Sequence, residues 1–168
     1  MRLLGARIDG SLDFTGAHVS SGVEPALGLA DTAIGGSVFL TADLAGRRPV
    51  IQGRIDMASA RIAGQFLIRD ATLDAQGVIL AGGSYSRLRA GDQALSAPRL
   101  TVGAEMTFED ACEVSGGIDL SMSELSSLLI DSGCSLRAAQ RTALDLTNAE
   151  LLSRSPSARK SPWRARYG

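Results

Sequence analysis

The sequence is short of the residues from which active sites and aromatic cores are usually built. Aromatics make up only 4% of its 168 residues, and there is a single histidine, His18. One imidazole excludes a His-rich metal site and leaves any Ser-His-Asp triad dependent on that one ring. Cys112 and Cys134, the two cysteines, stand 22 residues apart with no Cys-x-x-Cys and no histidine near either. They are expected to be reduced, largely buried thiols, since secreted chains of this size usually carry more cysteines. No apolar run approaches the roughly 20 residues that span a bilayer, and no basic stretch leads into an apolar run with a small-residue cleavage site. The expected location is the cytoplasm, with no membrane span.

Apolar residues reach 45%, charged residues 21% and glycine 19 residues. Such a chain is globular, with a single core of Leu, Ile, Val, Ala and Met packed around many tight backbone positions. The net charge of −1 conceals an asymmetry. From Ser153 onward Arg154, Arg159, Lys160, Arg164 and Arg166 stand without an acid, giving +5, so the first 152 residues carry 12 basic against 18 acidic side chains, or −6. The chain divides accordingly into a folded domain, 1–152, and a Ser-, Pro- and Arg-rich tail, 153–168, that has no apolar period and is expected to be disordered.

An internal repeat organises the domain. Apolar residues stand at offsets 0, 2 and 7 and a small residue at offset 5: Met1, Leu3, Ala6, Ile8; Leu12, Phe14, Ala17, Val19; Leu27, Leu29, Thr32, Ile34; Ile55, Met57, Ala60, Ile62; Phe66, Ile68, Ala71, Leu73; Ile118, Leu120, Ser123, Leu125; Leu144, Leu146, Ala149, Leu151. Looser copies are Val38 and Leu40 with Leu44, Met106 and Phe108 with Ala111 and Val114, and Leu128 and Ile130 with Gly133 and Leu136. Units pair 11 residues apart through Ile-x-Gly, as in Ile8-Asp9-Gly10, and pairs begin at 1, 27, 55, near 93, 118 and 144. Offsets 0 and 2 share a face only in an extended chain, because a helix would set them about 200° apart. Short strands closed by small residues at corners predict an all-β fold, a right-handed parallel β-helix of about six coils. In that stack Ile62 is expected to point inward between Ile34 and Leu100. The interval from Asp74 to about Gln93, through Gly82-Gly83-Ser84, is expected to protrude as a loop or irregular coil.

Ala6-Arg7-Ile8, Ala17-His18-Val19, Ala60-Arg61-Ile62 and Ala149-Glu150-Leu151, with apolar centres five apart at Leu3 and Ile8 or Met57 and Ile62, resemble the repeats of pentapeptide-repeat proteins. The phrase from Gly5 to Ala17 is similar to repeats in actinobacterial proteins of mostly unknown role, some labelled membrane-associated oxidoreductases. The resemblance covers about residues 1–151, with interruptions, and implies a solenoid fold far more than an activity.

Alternation turns His18 outward, where a lone imidazole is a surface residue, and both cysteines fall in coils distant from it. Gly35-Gly36-Ser37 and Gly82-Gly83-Ser84 do not continue into a phosphate-binding or dinucleotide fingerprint and are turn glycines. No catalytic, cofactor-binding or metal site is expected. The candidate interaction surface comprises Asp13, Asp56, Asp119 and Asp145, each between two inward apolar residues and expected to stack as an acidic ladder on one face, together with Trp163, Arg164 and Arg166 of the tail. The functional expectation is a non-enzymatic structural or protein-interaction scaffold. The chain opens inside a repeat at Met1, so self-association through the N-terminal coil edge is expected, without direct nucleic-acid contact. The alternative is a modulator of a type II topoisomerase, presenting acidic charge in imitation of duplex DNA, as the gyrase-binding members of the family it resembles do.

Overall fold

A computed structural model describes residues 1–21, 25–75, 93–138 and 142–152. Among these the protein is all-β, a parallel β-helix whose strands, numbered in chain order, form three parallel sheets. Sheet A stacks β4 (Leu27–Gly28), β8 (Ile55–Asp56), β12 (Gln93–Ser96), β15 (Gly117–Asp119) and β18 (Leu144–Asp145). Sheet C stacks β3 (His18–Ser20), β7 (Val50–Gln52), β11 (Thr72–Asp74), β14 (Glu113–Ser115) and β17 (Ser135–Arg137). Sheet B is the long side. Its first half holds β1 (Arg7–Ile8), β5 (Ala33–Ile34) and β9 (Arg61–Ile62), and its second half β2 (Leu12–Asp13), β6 (Val38–Leu40) and β10 (Phe66–Arg69). β13 (Thr101–Glu109) and β16 (Glu124–Ile130) run through both halves, and β19 (Glu150–Leu151) ends the first.

The repeat unit therefore occurs twice in each coil. One copy turns the corner from sheet A into sheet B, the other the corner from B into C, and Ile-x-Gly bends sheet B between them. The inward residues of successive coils form ladders, of which Ile8, Ile34, Ile62, Val102, Leu125 and Leu151 make one continuous row. Burial of such rows between neighbouring coils supplies most of the stability, at about 25 cal/mol per Å² of apolar surface. Sedimentation of the ladders into one core is extensive: Phe66, Ile68, Leu73, Leu95, Met106 and Phe108 are wholly inaccessible.

The corners from A to B share one construction. The amides of Ala6, Thr32, Ala60, Leu100, Ser123 and Ala149 each donate to the carbonyl three residues before, at 3.0–3.3 Å. The third residue of each turn, Gly5, Asp31, Ser59, Arg99, Met122 or Asn148, has φ between +56° and +63°. This is the pattern of a type II turn, which also favours the proline found at the second place, Pro98. The residue that follows is buried at Thr32, Ala60, Leu100 and Ser123 and half-buried at Ala6 and Ala149, and it is small at every corner except Leu100. Two of these residues carry hydroxyls. Thr32 donates to the Leu3 carbonyl at 2.6 Å, and Ser123 donates to Ala97 at 3.0 Å while accepting the Leu100 amide at 3.1 Å.

Two expectations are corrected. Ile62 is buried and lies beside Ile34 as expected, but its other neighbour is Val102, not Leu100. The unit opens at Leu95, which pairs with Ile55 and Ile118, so Leu100 occupies the corner and Val102 the inward place. Leu44 is fully exposed, and Ile51 takes the inward place. The corner there is enlarged into an excursion held by Asp43, whose Oδ1 accepts the amides of Ala45 and Arg47 at 2.9 and 2.8 Å. Gly35 and Gly36 sit at a bend, yet what requires glycine is room: a Cβ on Gly35 would stand 2.6 Å from the Asp9 carbonyl oxygen. Most of the interval from Asp74 to Gln93, with Gly82-Gly83-Ser84, and the whole tail lie outside the described residues; Asp74 and Gln93 themselves belong to β11 and β12. No helix among the described residues is long and apolar enough to cross a membrane.

Candidate interaction surface

The outward row of sheet A runs Gly28, Asp56, Ser96, Asp119, Asp145. Asp119 and Asp145 are direct neighbours, and Ser96 separates them from Asp56. Asp13 stands elsewhere, on the second half of sheet B opposite Phe39. The ladder of four on one face is thus corrected to three on sheet A. Equivalent positions of the two units in a coil fall on different sheets, so Asp13 and Asp56 share a sequence pattern and not a face.

Each of these carboxylates also closes its own corner. Asp13 Oδ1 accepts the Thr15 amide at 2.9 Å and hydroxyl at 2.5 Å, and Asp145 Oδ1 accepts those of Thr147 at 2.9 and 2.6 Å. Asp119 accepts the Ser121 amide at 2.9 Å and Asp56 the Ala58 amide at 3.3 Å. These are Asx turns. The threonine hydroxyl, and then its amide, hold the carboxyls of Asp13 and Asp145 below the usual aspartate range. The sequence signal was present as Asp-x-Thr or Asp-x-Ser, two residues apart, beside the apolar alternation.

Other faces differ in character. The first half of sheet B presents Arg7, Ala33, Arg61, Thr101, Glu124 and Glu150, basic in the early coils and acidic in the late ones. Its second half continues from Asp13 as Phe39, Leu67, Thr107 and Leu129, an outer row that is apolar apart from the buried Thr107 and ends with Leu129 53% exposed. Unbroken apolar triplets such as Val38-Phe39-Leu40 and Leu128-Leu129-Ile130, where alternation calls for a polar middle, were the available signal for this row. On sheet C, His18 is exposed as expected, its Nε2 3.5 Å from Gln52 Oε1.

Two arginines tie coils together. Arg48 donates through Nε to the Asp70 carbonyl at 3.1 Å and through Nη2 to the Ala111 carbonyl, with Nη1 3.7 Å from Glu113. Arg69 donates to Glu109 from Nε at 2.9 Å and also lies 3.5 Å from Asp110. Exposed pairs of this kind contribute little stability each, but they consume charge that would otherwise face a partner.

Cys112 and Cys134 are both free and occupy the small corner position before sheet C in successive coils, where the Ser135 amide donates to the Cys112 carbonyl at 2.8 Å. Cys112 is buried and Cys134 half-buried. Burial, reinforced by the neighbouring Cys134, pushes the Cys112 thiol up to about 12. An open groove of about 240 Å³ runs along this part of sheet C between Glu113, Ser115, Ser135 and Arg137. It lies between outward rows and brings no nucleophile and base together. Trp163, Arg164 and Arg166 lie outside the described residues. No family model, curated protein or solved structure matches the chain.

Proposed function

We propose that the chain is a protein-interaction scaffold, a β-solenoid that works by presenting surface rows and by associating through a coil end, and not by catalysis. One observation carries this reading. Ile34, Ile62, Val102 and Leu125 are at most 2% exposed within their ladder, whereas Leu151 at one end is 55% exposed and Ile8 at the other is only partly buried. Met1 and Leu4, at 53% and 58%, add to the apolar surface of the first coil. Apolar side chains exposed in this way, together with Leu129 on the outer row of sheet B, are surface that a partner chain would cover. Kinship with pentapeptide-repeat proteins and a cytoplasmic location belong to the same reading, the latter because Cys112 and Cys134 are thiols.

Sedimentation velocity over a wide concentration range tests it. Concentration-dependent dimers or larger species are expected, and a strict monomer throughout overturns the self-association. A DNA-mimicking topoisomerase modulator draws less support, since Ser96 interrupts the acidic row and the aspartates are engaged at their corners. Unchanged supercoiling by purified gyrase in the presence of the protein removes that alternative.

A further inference from the structure

Cys112 and Cys134 meet in register on successive coils. Glu113 pairs with Ser135, and the Ser135 amide donates to the Cys112 carbonyl at 2.8 Å, so the residue before each is the other's counterpart. Neighbouring coils set such Cα atoms about 4.8 Å apart, within the roughly 4.4–6.8 Å that a disulfide spans. Both side chains turn to the same side: Cys112 belongs to the buried core and Cys134 packs against it. The two thiols interact directly, each acting on the ionisation of the other. Just before the pair the coils are drawn close, since a Cβ on Gly133 would collide with the Asp110 carbonyl oxygen.

The two sulfurs differ in access. Cys112 is inaccessible, whereas Cys134 is half-buried and follows the exposed residues Asp131, Ser132 and Gly133. Burial raises the Cys134 thiol as well, but hydrogen bonds from the backbone of Asp131 and Cys112 oppose the rise. The corner therefore holds one thiol that a reagent reaches and a second that is reached through the first.

We propose that Cys112 and Cys134 form a reversible disulfide between coils, with Cys134 as the entry thiol, Cys112 as the resolving thiol and a small-molecule disulfide as the oxidant. In the first step Cys134 gives its proton to solvent and its sulfur attacks one sulfur of the oxidant. A mixed disulfide forms, and the other half of the oxidant leaves as a thiolate that takes up a proton. In the second step Cys112 gives its proton to solvent and attacks the Cys134 sulfur, expelling the remaining half of the oxidant as a thiol. Two protein thiols are oxidised to one disulfide, and one small disulfide is reduced to two thiols. The bond closes a single coil, because the cysteines stand 22 residues apart and the chain between them passes through β14, β15 and β16. In a stack held by nearest-neighbour contacts, one covalent junction resists local opening that its neighbours still allow. Oxidation thus fixes the rows that flank the groove between Glu113, Ser115, Ser135 and Arg137, and reduction releases them. This holds whether or not the chain works as a scaffold.

Oxidised glutathione tests it on the folded full chain, with the products alkylated in denaturant and read by mass spectrometry. The parent is expected to lose both alkylatable thiols without carrying glutathione and to give a peptide cross-linked between Cys112 and Cys134 on digestion. Its melting temperature should rise by about 5–10 °C and return on treatment with dithiothreitol. Cys112→Ser is expected to stop at a mixed disulfide on Cys134, and Cys134→Ser to leave Cys112 unmodified over the same time. Glutathione on Cys112 in Cys134→Ser overturns the order of entry. A parent that stops at the mixed disulfide, that cross-links only between molecules, or whose internal bond lowers the melting temperature overturns the pairing itself.

Discussion

Ser11 places its hydroxyl oxygen in the space that a side chain on Gly36 would occupy, and the same oxygen accepts the Ser37 amide at 2.9 Å. Ser37 repeats the arrangement one coil on, accepting the Gln65 amide at 3.1 Å and covering Gly64. Glycine and serine at this bend form one device, in which the serine of one coil satisfies the next and requires glycine above it. A Cβ on Gly36 would also stand 2.8 Å from the Ser11 amide nitrogen, a backbone atom that cannot swing aside. Gly36→Ala is therefore expected to destabilise by about 1–3 kcal/mol, the usual cost of forced overpacking. Gly10→Ala should stay within about 0.5 kcal/mol of the parent when the monomer is measured. Denaturant melts of the two variants check this, and equal effects would remove the stacking explanation.

Ile62 and Asp56 give the register its sharpest test. Ile62 is 1% exposed between Ile34 and Val102, so Ile62→Asp buries a carboxylate without a partner. Its cost of several kcal/mol is comparable with the whole stability of a domain, and the variant is expected to be unfolded by circular dichroism. Asp56→Asn keeps an oxygen for the Ala58 amide and faces outward, so its melting temperature should lie close to the parent's. A folded Ile62→Asp beside an unfolded Asp56→Asn would mean that the inward and outward faces are exchanged.

The inward set was legible in the sequence because the two-residue alternation and the seven-residue span of each unit are set by local geometry, a strand on each side of a tight corner. What lies between coils was less legible. Nothing in the spacing of Asp13 and Asp56 tells that the unit repeats twice per turn, so their separation onto different sheets emerges only once the coil closes. The displacement of Leu44 by Ile51 depends on Asp43 folding the intervening residues onto itself, and the exchange of Leu100 for Val102 arises because Leu95 opens the unit and a large residue, Leu100, stands at the corner that a small one marks elsewhere. For the candidate surface, the aspartates were found as outward residues, but their engagement with the residue two ahead was hidden behind the apolar pattern.

Met122 occupies the left-handed place of its corner at φ +56°, with the side chain 49% exposed. A residue with a Cβ pays roughly 1–2 kcal/mol there, and glycine avoids that strain while losing more chain entropy on folding. Met122→Gly is expected to raise stability by a net ~0.5 kcal/mol, with a smaller gain for Asn148→Gly because asparagine tolerates this region. Thermal melts of both variants are the check, and a clear loss at Met122→Gly would show that its side chain packs more than its exposure indicates.

Cys112 makes stability depend on pH at the alkaline end. Its folded-state thiol is raised from 9.0 to about 12, chiefly by burial and further by Cys134. A group raised in the folded state favours folding fully below its unfolded value. As pH climbs past about 9 the unfolded chain releases this proton while the folded chain keeps it, and the contribution is lost progressively up to about 12. Cys112→Ala leaves a small void, so it should lower stability modestly at neutral pH and yet flatten the decline above pH 9. Native-state alkylation gives an independent reading: iodoacetamide at pH 8 is expected to modify Cys134, half-buried, well before Cys112. Rapid labelling of Cys112 in the folded protein, or identical alkaline slopes for the parent and Cys112→Ala, would contradict the burial of this corner.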